Sequence, residues 1–424
     1  MTHHNQSALR GLINELLNGD EELPRGEAMR RLLETSLQEL IEAEVTARIG
    51  AGRYERSTDR VTRRNGARPK QLATPAGTLE LSIPKLREGS FFPSLLEPRR
   101  RIDQALWSVI AQAWIGGVST RRVDALVKAL GNETGISRST VSRICAEIDE
   151  YVSVFLARRL DDNDAWYPYL WLDATYLDVR INGRVVSQAV VVATGCSVNG
   201  HREVLGMAIG DAETTDFWTS FLRSLRERGL KVATPADPLG VTVVVSDAHE
   251  GLKNAIKAIL PGAAWQRCRV HFARNVTRAL GAARSKPVNA LIGTIYAQTT
   301  PEAVHACYKH VTDNLIQAGF TDIADMLDRA HPDLTAFADM PTDHWRKLWS
   351  NNPIERLNRE IKRRSDVVQI FPDRGSVTRL VGAILLEQHE EWHYGERRYL
   401  SETSMRRLVD TLLDRTTRTL PLTA

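Results

Sequence analysis

The stretch Tyr169-Leu170-Trp171-Leu172-Asp173-Ala174-Thr175-Tyr176-Leu177-Asp178-Val179 decides the fold. Up to about Tyr167 the apolar residues recur at helical spacing, and here they become a run too short for a helix and suited to a strand. Two more such runs follow, Val185 to Thr194 and Glu203 to Ile209. Asn182-Gly183 and Asn199-Gly200 separate them, pairs that accept the left-handed backbone of tight turns. The three runs predict a meander. A helix (Asp216 to Arg228), a Val-rich strand (Val241 to Val245), a helix (Leu252 to Leu260) and a strand near Ala264 to Val270 come next. That order, β-β-β-α-β-α-β, predicts an α/β core over 165–275: a mixed sheet flanked by helices. Residues 276–345 read as helices only, an all-helical insertion. Residues 346–424 return to the core with a helix opened by Asn352-Pro353 and end in a tail.

Upstream of the core the texture is helical and charged. Residues 1–50 place Met29, Leu32, Leu33, Leu37, Leu40 and Ile41 on one helical stripe, a candidate oligomerisation surface. Residues 51–101 form a basic, extended connector broken by Pro75, Gly77, Pro84, Gly89 and Pro93. Its Arg53, Arg56, Arg60, Arg63, Arg64, Arg68 and Lys70 suit a phosphate-contacting arm or, equally, a solvated linker. Residues 102–160 carry two amphipathic stretches around a turn with Gly131 and Gly135. Val123, Leu126, Val127 and Leu130 follow Ser119, and Val141, Ile144, Cys145 and Ile148 follow Ser137. The pair predicts a helical DNA-binding region with a helix-turn-helix, whose second helix offers Arg138, Ser139, Ser142 and Arg143 to a groove. An ordinary helical hairpin has the same stripes.

Composition sets the outer bounds. With 424 residues, 42% hydrophobic and 25% charged, the chain is long enough for two or three domains and is ordinary for a folded protein. Net charge is only +4, so its distribution matters more: residues 1–44 are acidic and 45–101 basic. The longest apolar runs fall short of the ~18 residues of a membrane span, and the start has no secretory apolar core. Four widely spaced cysteines make neither a disulfide framework nor a paired zinc motif. The expectation is a cytosolic protein with no membrane partner.

Three carboxylates draw the functional reading. Asp173 interrupts an apolar strand, where an ionised acid needs a solvated cleft or a bound cation. Asp247 follows Val243-Val244-Val245-Ser246, at the strand end where ligand sites open in sheets flanked by helices. Glu355 lies in Asn352-Pro353-Ile354-Glu355-Arg356-Leu357-Asn358-Arg359-Glu360-Ile361-Lys362-Arg363, where helical spacing sets Glu355, Asn358 or Arg359, and Lys362 along one side. Arg356, Arg359, Lys362 and Arg363 are candidate DNA contacts on that helix. The competing reading is capping: Asp247-Ala248-His249-Glu250 and Asn352-Pro353-Ile354-Glu355 both have capping-box form. Taken together, the three acids suit a two-metal site of Mg²⁺ or Mn²⁺ acting on phosphodiesters.

With Trp265-Gln266-Arg267-Cys268-Arg269-Val270-His271 and Ile370-Phe371-Pro372 added, these motifs make the chain resemble the bacterial Mutator-type insertion-sequence transposases. The resemblance runs from about Glu55 to the helix after Gln388. It implies a ribonuclease H-like fold with a DDE triad, Asp173, Asp247 and Glu355 being both the catalytic residues and the metal ligands. It further implies terminal inverted repeats and target DNA as partners, a homo-oligomer of at least two copies in the synaptic complex, and work at the nucleoid of a bacterial cytoplasm.

Cys268 and His271 stand as accessory residues. His271 near the acids suits positioning phosphate or water, or assisting proton transfer, and a buried structural histidine fits as well. Cys268 reads as half a zinc motif or a packed thiol. Two rival functions remain. His271-Phe272-Ala273-Arg274 also spells the His-x-x-Arg of tyrosine recombinases, and the helical region alone would serve a non-catalytic DNA-binding protein.

Overall fold

The computed structural model describes residues 25–51, 60–74, 77–89, 91, 93, 105, 108–110, 112–113, 138–234, 236–395 and 397–419. The chain divides into two compact units, Met1–Arg100 with Tyr394–Glu396, and Arg101–His393 with Arg397–Ala424.

In the first unit, helix α1 (Arg25–Ile49) packs on an antiparallel hairpin of β1 (Arg64–Thr74) and β2 (Gly77–Leu86). Residues two apart on a strand share a face, so Leu79, Leu81 and Ile83 point together and cover Ile41 of the helix. Gln38 and Ser82 exchange two hydrogen bonds of 2.9 and 2.8 Å across this contact. Arg64 is turned inward to Glu42 Oε2 (3.1 Å) and Thr46 Oγ1 (2.8 Å), which removes it from the set of arginines open to phosphate.

The second unit is an α/β layer structure. Helix α2 (Arg138–Ala157) leads to β3 (Tyr169–Ile181), β4 (Arg184–Cys196) and β5 (Arg202–Gly210), an antiparallel meander. Helix α3 (Thr215–Glu227), β6 (Val243–Ser246), α4 (Glu250–Ile259) and β7 (Ala264–Arg267) follow. The sheet order is β5-β4-β3-β6-β7, with β6 parallel to both β3 and β7. Next come α5 (Arg269–Leu280), α6 (Ala282–Gly293), α7 (Pro301–Gln317), α8 (Thr321–Arg329), α9 (His331–Thr335) and α10 (Thr342–Leu348), with two short 3₁₀ turns among them. Helix α11 (Asn352–Val368), the two-residue strand β8 (Ile370–Phe371), α12 (Arg374–His393) and α13 (Glu402–Thr419) complete the unit.

Both faces of the sheet are covered, which is why its strands read as continuous apolar runs. Leu170, Leu172, Val191, Ala193 and Val244 pack on Trp218, Phe221 and Leu222 of α3 and on Leu252 and Ile256 of α4. Tyr169, Trp171, Val190, Val192 and Val245 point the other way, into the larger core with Leu357 and Ile361 of α11 and Leu380 and Ile384 of α12. Among the described residues no helix is long and apolar enough to cross a membrane.

The Asn182-Gly183 turn forms as expected, both residues left-handed (φ 49° and 78°). The second turn is a longer loop, closed by Ser197 N–H donating to the His201 carbonyl (2.8 Å), with only Gly200 at positive φ. The strand expected to reach Val270 ends at Arg267. The Cys268 N–H donates to the Ser246 carbonyl (2.8 Å) while the Cys268 carbonyl already accepts from Phe272 (3.0 Å), so the sheet ladder gives way to a helix at that residue. Ser119 to Leu130, the Gly131 to Gly135 turn and the Arg138 side chain lie outside the described residues, and with them the first helix of the expected helix-turn-helix.

Gly183 and Gly200 separate two causes of glycine preference. A Cβ on Gly183 meets nothing within 4 Å, whereas one on Gly200 falls 2.1 Å from the Leu400 carbonyl oxygen. Gly183→Ala is expected to cost only the left-handed backbone, about 1 kcal/mol. Gly200→Ala must also displace the segment whose Tyr399 and Leu400 N–H groups bond the Gly200 carbonyl, and should cost more. Urea unfolding of both variants checks the order, and equal losses would refute it.

Candidate active site

Strand β3 is thirteen residues long, but its partner β6 has four and pairs only with Tyr169, Leu170 and Trp171. The same edge is met again by β8 at Asp178 and Val179. Asp173 lies in the interval between, and α11 fills it. The buried Asn351 side chain donates to the Leu172 carbonyl (3.0 Å), and the Asn358 amide donates to Asp173 Oδ2 (2.7 Å). Glu355 stands one turn before Asn358 on the same helix. Asp247 follows directly on the last residue of β6, whose Ser246 hydroxyl is held by the Trp265 indole N–H (2.8 Å).

The other two acids act on Asp173. Burial first, then the negative charge of Asp247, pushes the Asp173 carboxyl up to about 7, with Glu355 adding in the same direction and the Ala174 N–H and Asn358 opposing. Glu355 is half-buried, and its Oε1 has no hydrogen-bond partner; the Arg274 guanidinium stands 3.8 Å away. Asn358 Oδ1 and His271 Nδ1 are likewise buried without partners. Repelling carboxylates beside orphaned polar atoms are the environment a hard divalent cation relieves. The residues therefore fit such an ion, although the three acids do not form a set with all ligand atoms within 4.8 Å.

The capping alternative fails on geometry. The residue that caps α4 is His249 and the one that caps α11 is Asn351, neither with a side-chain cap bond. Asn351 cannot turn to the helix end because its amide is committed to Leu172. Asp247 and Glu355 are thereby left free of cap duty.

His271 lies in the first turn of α5. Burial lowers its imidazole below the ordinary value, with Asp247 and Glu355 pulling upward and Arg274 pushing down, and its Nε2 lies 3.0 Å from Arg274 Nη1. Cys268 is fully buried, its thiol pushed up by burial, and its Sγ accepts the Asn351 N–H at 3.3 Å. It thus sits behind the site as an anchor for the start of α11. Of the basic residues on α11, Arg356, Arg359 and Lys362 are exposed, while Arg363 is held by both oxygens of Glu360 (2.8 and 2.9 Å). Ser139, Ser142 and Arg143 on α2 are exposed, and Arg143 pairs with Glu147 at 2.7 Å. The acids and His271 come together; the α2 residues are not part of that cluster.

Sequence spacing left Asn358 and Arg359 as equals, and the structure selects Asn358. Arg274, noticed for another motif, stands beside Glu355. Asn351 gave no separate signal beyond its place in the Asn-Asn-Pro run.

An α/β protein with a carboxylate cluster at the sheet edge defines a broad class, and sequence comparison narrows it. The family model described as Transposase, Mutator family, matches residues 7–395. The transposase of insertion element IS1081 from Mycobacterium tuberculosis is 47% identical over 394 residues, 92% of this chain and 90% of that protein. That of IS256 in transposon Tn4001 from Staphylococcus aureus is 34% identical over 378 residues (89% and 94%), and that of IS406 from Burkholderia multivorans 36% over 400 residues (92% and 96%). The chain belongs to the Mutator family of transposases.

The raised Asp173 carboxyl gives a stability test with a definite sign. Its folded-state value lies above the unfolded one, so the stabilisation is full below about pH 4 and lost as pH rises through about 7. In buffer free of divalent cations, Asp173→Asn should melt several degrees above wild type at pH 8, with the gap narrowing toward pH 5. A gap that does not change with pH would contradict this origin.

Proposed function

We propose that this protein is a bacterial insertion-sequence transposase that cleaves the element's ends and joins them to target DNA, with Asp173, Asp247 and Glu355 as its DDE triad. The observation that carries the reading is the convergence of the three acids, from mid-strand, strand end and helix, on one cluster in which a Glu355 oxygen makes no hydrogen bond. Three antiparallel strands followed by two parallel ones support reading the core as ribonuclease H-like. On this reading α5 to α10 are the helical insertion between the second and third acids.

The triad would hold two Mg²⁺ or Mn²⁺ ions, which supply an activated hydroxyl and stabilise the leaving oxygen of the phosphodiester. Asn358 fixes the Asp173 carboxylate toward the cluster from the helix side. Arg274 places positive charge beside Glu355 where a phosphate approaches. His271, biased toward the neutral form by burial and accepting from Arg274 at Nε2, carries its hydrogen on the unpartnered Nδ1, which is suited to donate to a water or a phosphate oxygen. Arg356, Arg359 and Lys362, with Arg363 once released from Glu360, would grip the backbone of bound DNA. Arg138, Ser139, Ser142 and Arg143 would read the terminal inverted repeats as the second helix of a helix-turn-helix. Two or more copies would pair the element ends, with the N-terminal helix as candidate contact. Acting on DNA, the protein would work in the cytoplasm at the nucleoid.

The deciding experiment is end cleavage by the purified chain on DNA carrying the element termini. Asp173→Ala, Asp247→Ala and Glu355→Ala should each lower cleavage by about 10³-fold or more while terminal-repeat binding persists. Cleavage that continues in EDTA through a covalent protein–DNA adduct would favour the tyrosine route instead. Binding without cleavage by wild type under all divalent cations would favour the non-catalytic reading. Arg359→Ala with Lys362→Ala should weaken binding to all sequences alike and flatten its salt dependence, whereas Arg143→Ala should change which end is preferred. An unchanged salt slope would remove α11 from the DNA contacts.

A further inference from the structure

A second cluster of metal-ligating side chains lies away from the triad. His389-Glu390-Glu391-Trp392-His393 puts two imidazoles one turn apart on the last stretch of α12, on the same face of the helix. Opposite them Glu203, near the start of the edge strand β5, presents a buried carboxylate. One ligand atom from each of Glu203, His389 and His393 lies within 4.8 Å of the other two, the one such set among the described residues. We propose that Glu203, His389 and His393 form a transition-metal site suited to Zn²⁺, which staples the edge strand β5 to the end of α12.

One of the three ligand-atom pairs already has the spacing a bound ion would give it. Tetrahedral bonds of ~2.0–2.1 Å set neighbouring ligand atoms about 3.4 Å apart, and His393 Nδ1 already stands 3.3 Å from Glu203 Oε1. The two imidazoles stack at 5.3 Å between ring centroids, so modest side-chain rotation closes the set. His389 is only 8% exposed, and its Nδ1 has no hydrogen-bond partner. A polar atom buried in this way costs free energy unless something binds it.

The surroundings orient the carboxylate as supporting groups do in metal sites. Tyr167 donates its phenolic hydrogen to Glu203 Oε2 at 2.9 Å, which leaves Oε1 toward the histidines. Arg158 stands 3.9 Å from Oε2, on that far oxygen. The Phe155 ring walls His389 at 5.2 Å. Two imidazole nitrogens and one carboxylate oxygen favour Zn²⁺ and its neighbours over Mg²⁺, which prefers oxygen, and leave a fourth position for water. The donor set therefore differs in kind from the all-carboxylate cluster of the active site.

The test uses the untagged full chain. Metal-stripped wild type is titrated with Zn²⁺ and its content measured by elemental analysis after dialysis, with melting temperature as second readout. We expect one equivalent of Zn²⁺ assigned to this site and a higher melting temperature. His393 is partly exposed, so His393→Ala should keep the circular dichroism of wild type while losing that equivalent, its affinity falling more than about 100-fold. Tyr167→Phe, which keeps the ring and removes only the hydroxyl, should weaken Zn²⁺ by about 10-fold to 100-fold. Asp173→Asn should retain the ion in full, which separates this site from the triad whatever the fate of the catalytic reading. In the Co²⁺-substituted protein, visible bands of a four-coordinate ion should appear without a thiolate charge-transfer band. Zn²⁺ retained by His393→Ala, Zn²⁺ lost by Asp173→Asn, or no Zn²⁺ held by wild type would each overturn the proposal.

Discussion

Between Trp171 and Asp178 the central strand β3 has no strand partner on one of its edges, and the site is built in that interval. Backbone groups left inside a protein need partners, and here the partner is supplied by a side chain of another element: the Asn351 amide closes on the Leu172 carbonyl. This one bond dictates where α11 begins. With Asn351 fixed, helical periodicity carries Glu355 and Asn358 along the open edge of β3, and Asn358 meets Asp173. Cys268 holds the backbone of Asn351 from behind, and the Cys268 N–H is bonded to the Ser246 carbonyl just before Asp247. The elements bearing the three acids are thus tied together by short polar contacts that do not pass through the acids themselves.

That arrangement separates holding from reacting. A carboxylate used as a cap or fully paired would be stabilised in the empty protein and slow to take a new ligand. The first turn of α11 leaves Glu355 Oε1 without a hydrogen bond and only loosely paired with Arg274 at 3.8 Å, and the Asp173 carboxyl is pushed upward by burial and by its acidic neighbours. The fold accepts this unfavourable term where it has the most packing to offset it: Tyr169, Trp171 and Val179 on β3 are completely buried around the gap. Repulsion among the acids is then available as binding free energy for a cation, since it disappears when positive charge arrives.

Much of this was legible in the residues and part was not, for physical reasons. Asn182-Gly183 named its turn because few pairs tolerate two left-handed residues in succession. Asp173 announced itself because a charge inside an apolar strand is expensive, and Asp247 because strand ends open to solvent. The choice between Asn358 and Arg359 was not legible: the two differ by 100° around α11, and only the packing of Ile354, Leu357 and Ile361 sets the helix's rotation. Strand β8 has two residues, too few to show a period. The Glu203 cluster was invisible for another reason, since nothing local marks the separation between β5 and the end of α12.

Helix α11, β8 and α12 form one continuous path, and its anchors explain how a site on loops of contact stays in register. Gln369 takes φ 67° and ψ −65°, a conformation L-residues rarely adopt, and this sharp bend delivers Ile370 and Phe371 directly to the free edge of β3 at Asp178 and Val179. Past the bend, the buried Arg379 of α12 reaches Asp149 of α2 through two bonds of 2.8 and 2.7 Å and Gln112 through a third of 2.8 Å. Further along, α12 ends at His389 and His393 against Glu203. The helix bearing Glu355 is therefore fixed at its start by Asn351, at its end by β8, and beyond that by α12. Because α2 shares Arg379 with this path, α2 has a half-buried, charge-assisted connection, through Asp149, to the path that holds the helix of the third acid.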